Sequence, residues 1–145
     1  MNLNISVISK EVISSSIFEI LKSCKNGNVN LIVDVKSDEF LSDEFNKFAQ
    51  CCRECGVKYL KIEIELTRSF DEYDIEKYVE KILMIKPDEF HIKQATEFKR
   101  PWYRILKEVQ GALEHFATLR GENITEGYQV FDFGTTKIMY DYIPV

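Results

Sequence analysis

The chain has 145 residues, 45% hydrophobic and 30% charged, a globular balance that argues against disorder and suits one domain over residues 1–145. Nineteen basic residues against 24 acidic ones leave a formal charge of −5, which excludes general adhesion to nucleic acid and confines such contact to a local basic patch. No apolar run approaches the roughly 20 residues of a membrane helix. The start MNLNISVISKEV lacks a basic segment followed by an apolar core, so a cytoplasmic protein without membrane contact is expected, its four cysteines remaining thiols.

Leu3, Ile5 and Val7 alternate with Asn4 and Ser6, which predicts a first strand over residues 2–8. From Lys10 the period changes: Val12, Ile13, Ile17, Phe18, Ile20, Leu21 and Cys24 recur at helical intervals up to Asn26-Gly27. The run NVNLIVDVK then predicts a strand over 29–36, with Val29, Leu31, Val33 and Val35 on one face and Asn30, Ile32, Asp34 and Lys36 on the other. A tandem echo, SDEFLSDEF, leads into a second helix. Ser42 is its expected N-cap, Phe45, Phe48, Cys52 and Cys55 its buried stripe, and Gly56 its closing glycine.

Residues 58–66 alternate most cleanly, setting Leu60, Ile62, Ile64 and Leu66 against Tyr59, Lys61, Glu63 and Glu65. A third helix opens by Asp71, turns Ile75, Tyr78, Val79, Ile82 and Leu83 inward and stops at Pro87. Residues 89–94 predict a fourth strand with Phe90 and Ile92 inward and Glu89, His91 and Lys93 opposite. Pro101 suits the first turn of a fourth helix that buries Trp102, Ile105, Leu106, Val109, Leu113 and Phe116 and ends at Gly121. Two aromatic strands, 128–133 and 137–142, flank a turn at Gly134-Thr135-Thr136.

The expected fold is therefore α/β: four consecutive βα units forming a mainly parallel sheet, plus a C-terminal β-hairpin. Strands buried on both faces read as continuous apolar runs, whereas these alternate. That places the helices predominantly on one face and leaves the other polar, although Ile8 and Ile32 fall on the polar side and keep a doubly wound sheet open. The polar face would be open to solvent, curled toward a barrel interior, or covered by the hairpin or a second subunit. The apolar tail favours a homodimer, because a hairpin at a sheet end leaves backbone groups to be paired.

On that face Asp34, Lys36, Lys61, Glu63, Glu65, His91 and Lys93 converge if their strands are neighbours. Mixed carboxylates, lysines and a histidine suit a polar ligand, a divalent metal or proton exchange. They equally suit a solvated face on which opposite charges pair across strands. Asp34-Val35-Lys36 has a D-x-K form that resembles the PD-(D/E)xK nucleases. In that family a strand carboxylate binds Mg²⁺ and the lysine steadies the attacking water or phosphate; Gln50 on the next helix adds to the likeness. The family's upstream acid is missing here, where only Glu11 and Glu19 precede Asp34, both in the predicted first helix. The resemblance implies a metal-dependent hydrolase built on Asp34 and Lys36, and Glu63 and His91, on the same polar face, complete the set of catalytic candidates.

The βα series with a polar face also resembles part of a radical-SAM-type barrel, but the C-x₃-C-x₂-C motif of that family is absent. Cys51, Cys52 and Cys55 give CCxxC inside a helix, where they read as core thiols rather than as cluster or zinc ligands. No metal ligand set is assigned, and no cofactor is specified.

The second candidate is KQATEFKRPWYRILK, residues 93–107, which gathers five cations against Glu97 in an otherwise acidic chain. Lys93, Lys99, Arg100 and Arg104, with Trp102 and Tyr103 for stacking, form a candidate ligand site beyond a strand end and at a helix N-terminus. Phosphates bind in such places. Read blandly, Trp102 is core and the cations solubilise a helix. His115, beside Phe116, reads as a surface histidine. The leading functional expectation is a small binding or regulatory protein for an anionic small molecule or a protein partner.

Overall fold

The alternation of residue types along the strands becomes an alternation of burial and exposure. The computed structural model describes residues 2–8, 28–66, 72–94 and 102–142. Its strands are β1 (Asn2–Ile8), β2 (Asn28–Val35), β3 (Val57–Leu66), β4 (Glu89–Gln94), β5 (Thr118–Asn123), β6 (Tyr128–Phe133) and β7 (Thr136–Asp141). Its helices are α1 (Ser37–Phe40), α2 (Asp43–Glu54), α3 (Glu72–Ile85) and α4 (Trp102–Glu114).

The strands form one sheet in the order β1-β2-β3-β4-β7-β6-β5. The first four are mutually parallel, β7 lies parallel to β4, and β6 and β5 continue antiparallel, so the fold is mixed α/β with a mostly parallel sheet. Three βα steps are described, from β2, β3 and β4. The connection from β1 to β2, where the first helix is predicted, lies outside the described residues. Adjacent parallel strands taken in sequence order with right-handed crossovers place successive helices on the same side. Phe45, Phe48 and Cys52 of α2, Ile75, Tyr78 and Ile82 of α3, and Val109 and Leu113 of α4 share one core with Leu31, Val33, Leu60, Ile62, Ile64, Phe90, Ile138 and Tyr140 of the sheet.

The C-terminal region differs from the expected hairpin. Residues 118–123 extend no helix; they form β5, the outer strand of a three-stranded meander. The helix ends because the Phe116 and Ala117 N–H groups both return to the Leu113 carbonyl, at 3.0 and 2.8 Å, and close its last turn. β5 then pairs with β6 through a register shift between Leu119 and Gly121, so Gly121 belongs to a bulge. The aromatic tail completes the sheet, with β7 held between β4 and β6. The edge beyond it passes to β5, which is short, bulged and charged, features that discourage edge pairing.

Smaller expectations also change. Phe116 is 44% and Leu83 58% exposed, so neither belongs to the core. Ser42 takes the N-cap backbone position, yet its hydroxyl donates to the Glu39 carbonyl at 2.6 Å and caps the end of α1 instead. The first SDEF thus forms a turn of its own, which drives Phe40 into the core against Phe45, Tyr78 and Phe90. Gly56 closes α2 at φ 94°, as its position predicts. Among the described residues no helix is long and apolar enough to cross a membrane.

Candidate functional site

The polar face opposite the helices is built by register. One transverse row runs Ile32, Lys61, Glu89, Lys137 and Asp132 across β2, β3, β4, β7 and β6. The next runs Asp34, Glu63, His91, Met139 and Val130, and a third joins Glu65, Lys93, Asp141 and Tyr128. Opposite charges alternate along the first and third rows, the arrangement that stabilises cross-strand pairs, whereas the second sets the Asp34 and Glu63 carboxylates side by side.

Glu63 is the hub. Its carboxylate accepts a hydrogen bond from the Lys93 ammonium at 2.8 Å, lies 3.4 Å from the Lys61 ammonium, and stands 3.8 Å from Nδ1 of His91. Burial pushes the Glu63 carboxyl upward, but the Lys93 and Lys61 ammoniums outweigh it and hold it below the ordinary carboxylate range. For Lys93 burial works downward, and the Glu63 hydrogen bond, with Asp34 and Asp141 nearby, raises it on balance. Lys61 also reaches Glu89, at 3.9 Å, and Glu89 accepts the Tyr59 hydroxyl. Burial first, and then that bond to a carboxylate, raise the Tyr59 phenol well above its usual range.

His91 occupies the middle of the central strand, and Nε2 lies 2.6 Å from the Asp141 carboxylate. Nδ1 is withdrawn from solvent without a hydrogen-bond partner. A general base must reach the proton it removes. Here one ring nitrogen is taken by Asp141 and the other is shut in beside Glu63, a geometry suited to linking strands rather than to catalysis from solvent.

Comparison with family models, curated proteins and solved structures gives no match. What the site does must therefore be read from the side chains themselves.

Of the predicted catalytic group, Asp34, Glu63 and His91 are brought into one row, with Asp34 exposed between Glu63 and Ile8 of β1. Lys36 lies one position past β2 and is also exposed. The D-x-K pair thus faces a neighbouring carboxylate already occupied by lysines. Among the described residues no three His, Cys, Asp or Glu side chains gather as a metal-holding group. Lys93 joins the face at the carboxyl end of β4. Lys99 and Arg100 lie outside the described residues; Trp102, Tyr103 and Arg104 open α4, but their side chains lie outside the description too. Of the described cysteines Cys52 is core, fully buried with burial pushing its thiol up to about 12, whereas Cys51 and Cys55, the latter expected in the buried stripe, are half-buried free thiols.

Asp141 is the member of the candidate site that the sequence pattern does not single out. Its signal lies in IMYDY, where Ile138, Tyr140 and Tyr142 point inward and Asp141 therefore outward. Only the parallel pairing of β7 with β4 reveals that it meets His91.

Proposed function

We propose that this chain is a binding or regulatory protein that acts without catalysis and recognises a protein partner through the polar face of its sheet. One observation carries the reading: the interior charges of the face are engaged with one another, while Asp34 and Glu65 remain as exposed carboxylates at its rim. Over β2–β4 four carboxylates (Asp34, Glu63, Glu65, Glu89) meet two lysines (Lys61, Lys93), with Lys36 just past the strand. That surplus favours a cationic group on the partner, and rim charges of this kind set specificity and association rate. A cytoplasmic setting is part of this reading.

A second reading, capture of an anion by Lys93, Lys99, Arg100, Trp102, Tyr103 and Arg104, is favoured by the position of Lys93. It ends the rim with a partly exposed side chain, on the strand that leads into that segment. The hydrolase alternative draws less support, since Glu63 is held by two lysines and His91 by Asp141.

Titration with an arginine-rich peptide and, separately, with inorganic phosphate and ATP tests both readings. The proposal expects the peptide to bind, and Asp34→Asn with Glu65→Gln to weaken it several-fold, about 1 kcal/mol at a partly screened site. Tight phosphate or nucleotide binding that Arg100→Ala and Arg104→Ala abolish, without peptide binding, would move the conclusion to the anion site. A homodimer that hides the face would show as concentration-dependent sedimentation.

A further inference from the structure

We infer that the recognition face continues into a groove over β5–β7, and that its occupant is a peptide segment carrying an apolar anchor a few residues from its basic groups. The inference rests on the proposed function and specifies its partner. The groove is open, spans about 570 Å³ and sets Ile124, Tyr128 and Val130 among polar side chains that include Arg120, Glu122 and Lys137, a size within the range of ligand sites. Ile124 stands at its rim 77% exposed, although isoleucine is ordinarily withdrawn from water. Nothing fills the space above Gly121, where an added Cβ would meet no atom within 4 Å. Arg120 is held by Asp132 at 2.7 Å, so it forms a neutralised wall.

Register makes groove and acidic rim one surface. Val130, Met139, His91, Glu63 and Asp34 lie side by side across five strands, apolar at one end and acidic at the other. His91 stands at the change-over, only 8% exposed, with an unpartnered Nδ1 directed at Glu63. Strands lie about 4.8 Å apart, so Val130 is roughly 14 Å from the strand that carries Glu65 and about 19 Å from Asp34 across the sheet. An extended peptide advances about 3.3 Å per residue. The basic residues therefore fall about four to six positions from the anchor.

The test uses a fluorescent synthetic peptide with one leucine and two arginines at that spacing in a glycine–serine background. Its controls replace the leucine, or both arginines, by serine. Anisotropy should show the complete peptide binding about tenfold more tightly than the peptide without leucine. Ile124→Ser, at an exposed position that leaves the core intact, should erase that difference and leave the leucine-free peptide unaffected. Amide shifts should appear over β5–β7 only with the anchored peptide. Equal binding of both arginine peptides would overturn the inference and leave the proposed function standing. Binding by neither would remove both. A leucine-dependent gain that survives Ile124→Ser, or self-association that excludes both peptides, would also overturn it by assigning the anchor elsewhere or the face to a second copy.

Discussion

Replacing Glu63 by glutamine tests whether the charge lattice holds the sheet together. The carboxylate serves the Lys93 and Lys61 ammoniums at 2.8 and 3.4 Å and faces His91 at 3.8 Å. A hydrogen bond to a charged group contributes about 1.5–3 kcal/mol. The Lys93 side chain is 44% exposed, which pulls that pair toward the smaller value of a surface bridge. Glutamine keeps one acceptor, so the expected net loss is about 1–2 kcal/mol near neutral pH, or roughly 3–7 °C in Tm for a domain of this size. The sign with pH follows from linkage. A carboxyl held below its ordinary range in the fold leaves the unfolded chain binding more protons as pH falls, so stability rises with pH there. The contribution of Glu63 is complete above the unfolded-state value, about 4.3, and is lost as pH falls through the lower folded value. Urea unfolding of both proteins from about pH 7 to about pH 3 should therefore show a gap that narrows toward acid. A gap below about 0.3 kcal/mol near neutrality, or one that does not narrow with acid, would refute the reasoning.

Three further outcomes are expected. Phe40→Ala removes a fully buried ring from contact with Phe45, Tyr78 and Phe90 and should cost about 3–5 kcal/mol in chemical unfolding. Alkylation of the folded protein near pH 8, read by mass spectrometry, should modify the half-buried Cys51 and Cys55 well before Cys52, whose buried thiol is pushed up to about 12. Asp88→Ala should cost about 1–3 kcal/mol, because the Asp88 carboxylate accepts the Leu60 N–H at 2.8 Å and the Arg53 guanidinium at 3.2 Å at the start of β4; thermal unfolding measures the loss.

The sheet was legible where chemistry alternates residue by residue. Residues 89–94 and 128–133 are strands with the bounds their patterns predict, and the outward direction of Glu63, His91 and Lys93 follows from period two alone. β5 was illegible because TLRGEN carries no inward apolar series; its strand character comes from pairing with β6. The short helix before Ser42 was hidden for a similar reason. Four residues are too few to show a period, and the burial of Phe40 decides the outcome. The partner of His91 escaped notice because positions 91 and 141 are joined only by a parallel pairing between elements separated by a helix and two strands.

That pairing also governs how the chain must fold. Until β7 docks, β4 has a neighbour on one side only, and its other backbone edge stays unpaired. Contacts between residues 89–93 and residues 137–141 require closure of a long loop, whose entropic cost precedes any return from packing. The sheet over β2–β4 can therefore assemble ahead of its C-terminal third. During that interval Glu89, His91 and Lys93 alternate with Phe90 and Ile92 along the unfinished edge. Charges on such an edge act as gatekeepers against association with other chains. The residues that make up the polar face in the native state thus also guard the most exposed strand of the incomplete one.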